Sequence, residues 1–315
     1  MAQRLFRAGR IVVISYGIYQ CGYQAGLSDV INDPVGTNKT LMQMVYQTQG
    51  ATGESKDAVM KRRSRVVGKR VLAACKDYCM QKYIVAHSNA QEHGVALSDC
   101  EDVVKWKTAV ENLRSHEWSF VVINAPSVNA FVNHLMPGKV FIHEGLFREV
   151  RPTDDELALI LSHELSHLIH QHGQSRTELT VFISIIQLVL FSFVDPSGVL
   201  PFVFDVVVKK FGTGMENFYS RENETEADLT GIEIAALGCF DTKKAHEVFG
   251  RLGGGDEEHY VSASWNSTHP SGQSRVEYLL EASGVHNPEA LGDKCKKMKG
   301  FLDDVKVMLK GGVGL

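Results

Sequence analysis

The stretch "ILSHELSHLIHQHG", Ile160 to Gly173, constrains this chain more than any other. It holds His163, Glu164 and His167 in the pattern H-E-x-x-H. On a helix, residues four apart lie one above the other, so His163 and His167 can offer two imidazole nitrogens to one metal ion. Glu164 sits one position round from His163. It lies beside such an ion, where a base is needed to take a proton from water that the metal activates. Without partners elsewhere, the same spacing also describes an ordinary histidine-rich helix. Thr153-x-x-Glu156 offers a capping box for the start of this helix. Leu157, Ile160, Leu161, Leu165 and Leu168 carry it to about His172, with Gly173 as the stop.

A catalytic zinc takes three protein ligands and keeps one position open. "SRENETEAD" supplies Glu222, Glu224, Glu226 and Asp228 for the third. Glu224 and Asp228 are four apart and share a helix face; Glu222 and Glu226 share another, so the two pairs point apart. Either pair can give one ligand and one acid that fixes a ligand histidine through its second nitrogen. Spacing alone does not choose between them. "HEGLF" at His143 mimics the motif but has Phe147 where a second ligand would stand. His87, His93, His116, His134, His170 and His259 have no partner at metal spacing.

The rest of the chain sets the frame. With 44% hydrophobic and 22% charged residues among 315, it is globular and able to bury a core. A formal charge of −4 gives no ground for a nucleic-acid partner. The basic run "KRRSRVVGKR" (Lys61 to Arg70) reads as a helix with a charged outer face, with phosphate or anionic lipid contact as the second reading. Six cysteines without a C-x-x-C pair argue against a thiolate zinc site, and an even count alone does not establish disulfides.

Five segments are expected. Residues 1–26, with an arginine-rich, acid-free start and the apolar "IVVISYGIYQCGYQAG", read as a targeting or anchor segment. Residues 27–56 are polar and turn-rich and read as a linker. Residues 57–290 form the main domain. It opens with a helix from Asp57 to about Ile84, followed by two or three short antiparallel strands between Trp118 and Gly145. Within it, 179–208 is an apolar hairpin, read as buried core, as membrane-dipping or as a kinked span. Three more helices follow, in "NFYSRENETEADLTGIEIAALG", "DTKKAHEVFGRL" and "SGQSRVEYLLEAS". Residues 291–315 read as a helical tail.

Taken together, "DELALILSHELSHLIHQHG", "SRENETEAD" and "STHPSGQSR" resemble the membrane-associated zinc metalloendopeptidases of the HtpX, CAAX-protease and Oma type. "NAF…PGKVFIHEGL" resembles their substrate-strand region, and the likeness covers roughly residues 60 to 285. The resemblance implies an α+β, zincin-like fold: mostly helical, with a small antiparallel or mixed sheet and one zinc ion between two helices. It implies His163, His167 and Glu224 as ligands, Glu164 as the base, and Asp228 and His172 as supporting residues behind the ligands. His269 and Arg275 are implied to steady the oxyanion and organise the acids. The implied activity is zinc-dependent cleavage of protein substrates in membrane protein quality control. The substrate would lie as an extended strand near Asn129 to Ile142. Membrane contact and a mitochondrial inner-membrane address follow from the Oma likeness and the arginine-rich start, and an oligomer is compatible with all of this. Two departures stand out. Lys139 replaces the second glycine of the family's P-G-G, and the apolar insert is shorter than the long spans of HtpX and CAAX proteases. The rival readings are a CAAX-type prenyl-protein protease and a non-catalytic zinc scaffold or chaperone.

Overall fold

The computed structural model describes residues 34–132, 136–172, 221–253, 265, 269, 273–293 and 295. The chain divides into two compact units, one of Met1–Thr48 and His172–Ser220, the other of Gln49–Gln171 and Arg221–Leu315. The expected targeting segment, the apolar hairpin at 179–208 and most of the 291–315 tail lie outside the described residues. Among the described residues no helix is long and apolar enough to cross a membrane.

In the first unit, α1 (Pro34–Thr48) occupies much of the expected linker. Proline is favoured at the first position of a helix, where its missing N–H costs nothing. Leu41 and Val45 then follow at helical spacing, and Val45 is buried.

The second unit opens with α2 (Ala58–Glu92), a 35-residue helix. Asp57 caps it by accepting from the Val59 and Met60 amides at 2.8 and 2.9 Å. Val67, Val71, Cys75, Tyr78 and Cys79 recur at three- and four-residue spacing and are buried. The helix runs past the expected end near Ile84. Its later turns carry Ala86 and Ala90, which pack with Val103 of α3 (Glu101–Ser115).

Three strands follow: β1 (Ser119–Ile123), β2 (Ala130–Val132) and β3 (Lys139–His143). The sheet order is β1-β3-β2. β2 pairs antiparallel with β3, but β1 pairs parallel with it, so the sheet is mixed rather than purely antiparallel. β2 leaves the sheet centre to its successor, and β3 enters between the two earlier strands. Phe131 and Phe141 stand opposite and stack at 5.1 Å. The outer edge of β1 is covered by residues 53–55, where the Ser55 amide donates to the Val122 carbonyl at 2.8 Å.

A π-helical turn, Leu146–Val150, leads through Arg151 at φ 50° into α4 (Asp154–Ile169). The Thr153–Glu156 capping box is formed in both directions. α4 stops at Ile169, before Gly173, because Gln171 itself takes a left-handed conformation at φ 57°. From Leu157 to Ser166 every residue is buried, so this helix is the centre of the core. Leu157, Ile160, Leu161 and Leu165 join Val71, Ile142, Ile232 and Leu279 in one cluster. The helix over residues 221–237, α5, carries the acidic motif. α6 (Thr242–Ala245) and α7 (Glu247–Gly253) are one expected helix interrupted at His246, and α8 (Gln273–Val285) closes the described fold. A disulfide joins Cys239, at the end of α5, to Cys295. Cys75, Cys79 and Cys100 are free.

Candidate metal centre

α4 is buried on all sides, so its polar residues need partners inside the protein. His163 is fully buried and Glu164 nearly so. The partners come from α5, which crosses at very close range. A Cβ added to Gly231 would lie 3.0 Å from the His163 amide nitrogen and 3.1 Å from its Cα. A side chain there would press on that backbone, so glycine suits the approach.

At this crossing the two motifs meet. Glu224 Oε2 lies 3.4 Å from His163 Nε2, and Glu224 Oε1 lies 3.3 Å from His167 Nε2. The two imidazole Nε2 atoms are 3.1 Å apart. His269, four residues after Trp265 and stacked on its ring at 4.5 Å, brings Nδ1 to 3.1 Å from Glu224 Oε1 and 3.3 Å from His163 Nε2. His163, His167, Glu224 and His269 thus each offer one ligand atom, all within 4.8 Å of one another. Nitrogen and carboxylate donors in this number suit a divalent transition metal.

Behind the donors stands a second layer. Asp228 Oδ1 lies 2.8 Å from His163 Nδ1, the nitrogen turned away from the cluster. Arg275 grips Asp228 with two parallel bonds, from Nε and Nη2, at 2.8 Å each. Its third nitrogen reaches 3.4 Å from Glu224 Oε2. Tyr278, one turn on from Arg275 along α8, donates its hydroxyl to Asp228. The spacing left open whether Glu224 and Asp228 or Glu222 and Glu226 face the histidines; the first pair does. His172, the remaining expected residue, belongs to the other unit.

The electrostatics follow from packing opposite charges without water. Burial alone would push His163 down, but the Asp228 and Glu224 carboxylates outweigh it and hold the imidazole up at about 10. Burial wins at His167 and pushes it down to about 3. Glu224 is held far below the usual carboxylate range, against the effect of burial, chiefly by His163. Burial also opposes ionisation of Asp228, yet the Arg275 guanidinium keeps it low. In Glu164 burial prevails and raises the carboxyl. Its Oε1 is buried with no hydrogen-bond partner, 3.4 Å from His269 Nε2. A buried carboxylate oxygen left unpaired beside a donor cluster marks a place where something polar is to be received.

Tyr278 and Trp265 were not singled out from the sequence. Their signal was present, three residues after Arg275 and four before His269, but neither type announces a metal site. His143, the mimic, is buried away from the cluster and meets the Ser127 hydroxyl at 2.8 Å.

The sequence model of Peptidase family M48 matches residues 98–283, which include every residue of the cluster. The chain belongs to family M48. It is 32% identical over 181 residues to the mitochondrial metalloendopeptidase OMA1 of Arabidopsis thaliana, covering 57% of this chain and 34% of that protein. It is 31% identical over 179 residues to the protein of the same name from Schizosaccharomyces pombe, covering 57% and 50%. A beta-barrel assembly-enhancing protease of Yersinia pestis is 27% identical over 165 residues, covering 50% and 32%. The matched part of the chain therefore spans a third to a half of these M48 relatives. Their names accord with the Oma-like resemblance read from the motifs.

Proposed function

We propose that this M48 chain is a zinc-dependent endopeptidase with a zincin-like arrangement, its ion held by His163, His167 and Glu224. The observation that carries the reading is the convergence of those donors from two helices with Glu164 beside them. The donor set fits zinc, and three ligands leave a position free for reacting groups. Zinc bound there would polarise the scissile carbonyl and make a water acidic enough to attack near neutral pH.

The chain's own residues do the rest. Glu164 takes the proton of the attacking water and delivers it to the leaving amine. Burial raises its carboxyl, the direction that helps it hold the proton between the two halves of that transfer. Asp228 holds His163 with Nε2 facing the donors, and Arg275 fixes Asp228 and steadies Glu224. Because Arg275 is committed to the two acids, the oxyanion donor is His269, whose Nε2 is turned towards Glu164. The substrate is a protein segment lying extended along the outer edge of β2. The sheet order leaves that edge outermost, while residues 53–55 cover the edge of β1. The mitochondrial names of the OMA1 relatives and the arginine-rich start support a mitochondrial membrane address.

Substituting Glu164→Gln tests the reading. The variant should retain zinc by elemental analysis and lose casein cleavage by about 100-fold or more. Wild-type cleavage should stop with a chelator. Equal cleavage by Glu164→Gln and wild type would refute the base assignment. Zinc retention without any wild-type cleavage would favour a scaffold, and cleavage confined to prenylated peptides a CAAX-type protease.

A further inference from the structure

α5 is gripped by α4 on two flanks, and only one grip belongs to the donor cluster. A helix turns 100° per residue, so Glu226 lies about 200° round from Glu224, and Thr230 about 200° round from Asp228. The first flank, Glu224 and Asp228, meets His163 and His167. The opposite flank, Glu226 and Thr230, meets His170, the residue that caps the C-terminal end of α4. His170 Nδ1 lies 2.8 Å from Glu226 Oε1, and its Nε2 lies 2.9 Å from Thr230 Oγ1. Both ring nitrogens thus face α5, one towards a carboxylate and the other towards a hydroxyl. The His170 side chain is 4% exposed and packs edge-on against Trp106 of α3 at 5.8 Å. Lys105, also on α3, reaches the same Glu226 oxygen at 3.4 Å.

Gly231, seven residues on from Glu224, lies about 20° from it on the first flank, where its contact with the His163 backbone sets spacing but not rotation. Rolling α5 would swing Glu224 along an arc away from the histidines, with α5 still helical. Contacts on opposite flanks remove that freedom. We infer that His170 is a positioning residue that fixes the rotation of α5 and thereby aims Glu224 at the metal. It touches neither donor nor substrate. The inference rests on the metal reading proposed above.

Two measurements on the full chain test it. In the first, zinc-loaded protein is mixed with excess chromogenic chelator and the rate of zinc release is followed. His170→Ala should release zinc about 10- to 100-fold faster, the range over which supporting residues tune metal affinity. His170→Gln, which can still bond Thr230, should recover part of the loss. Arg63→Ala serves as control. It removes contacts to Asp154 and to the Pro152 carbonyl at the far end of α4. It should lower stability and leave zinc release within about threefold of wild type, well short of the range given above. If His170→Ala and Arg63→Ala accelerate release equally for equal losses of melting temperature, His170 only supports the fold and the inference falls. The second measurement needs no ion. In metal-free protein, amide hydrogen exchange over residues 224–231 should quicken at least tenfold in His170→Ala and not in Arg63→Ala. Unchanged exchange overturns the inference even if zinc binds. A wild type that retains no zinc overturns the metal reading instead, and the exchange result then still decides whether His170 holds α5.

Discussion

Replacing Asp228 by asparagine keeps the shape of the side chain and removes one buried charge. The carboxylate receives four contacts: two from Arg275 at 2.8 Å each, one from Tyr278, and one from His163 Nδ1 at 2.8 Å. That uses all of its roughly four lone-pair sites. Asparagine has one accepting oxygen. Whichever way its amide is turned, the NH2 group faces an Arg275 nitrogen that can only donate. With an effective dielectric constant of 20, a charge pair at 2.8 Å is worth about 6 kcal/mol before desolvation is subtracted. Removing one partner of such a buried pair costs about 3–5 kcal/mol, because the other charge stays buried. For a chain of this size that lowers the melting temperature by roughly 10 °C. Urea denaturation of metal-free Asp228→Asn, Arg275→Gln and the double variant measures the effect as a cycle. The double variant should be less destabilised than the sum of the singles by about 1–3 kcal/mol. Strict additivity, or a cost below about 1 kcal/mol for Asp228→Asn, would refute the claim that this ion pair organises the site.

Two further perturbations act elsewhere. Burial pushes His143 from its ordinary 6.5 down to about 4, so between those values the unfolded chain binds a proton that the folded one refuses. Stability is then full above pH 6.5 and declines as pH falls towards 4, by up to about 3 kcal/mol. His163, shifted upward, acts in the alkaline range, whereas His167, held down at about 3, adds to the same acid slope and remains in the His143 variant. Denaturant titrations of metal-free protein should show the acid slope flattened in His143→Gln, and an unchanged slope would count against burial as its source. Gly145→Ala places a Cβ 2.1 Å from the Pro126 carbonyl oxygen and 2.3 Å from that of Ser127, backbone atoms that cannot swing aside. A loss of about 3 kcal/mol or more is expected, and a variant that melts with the wild type would show that the 126–127 loop yields freely.

What could be read in advance was local. The Thr153–Glu156 cap, the i,i+4 spacing of His163 and His167, and the divergence of the Glu224 and Glu226 faces are all written within one or two helical turns, and all appear in the fold. What escaped depends on contacts distant along the chain. Nothing in the strand residues says that β3 will insert between β1 and β2 and make the first pair parallel. Cysteine positions do not determine connectivity, so the bond between Cys239 and Cys295 could not be deduced. Gln171 ends α4 in a conformation that glycine would have advertised. The partners of His170 lie 56 and 60 residues downstream, beyond the reach of any local pattern.

The close passage of α5 over His163 makes this centre intolerant of a change that carries no charge and no donor. A methyl group at Gly231 would need a few tenths of an ångström of room, with peptide backbone opposite it. Metal–ligand distances tolerate about ±0.2 Å. Substituting alanine there would leave every ligand in the sequence intact and still press on the backbone that carries His163, by an amount comparable to that tolerance. The smallest residue in the chain thus acts as the gauge that determines whether the larger ones can work together.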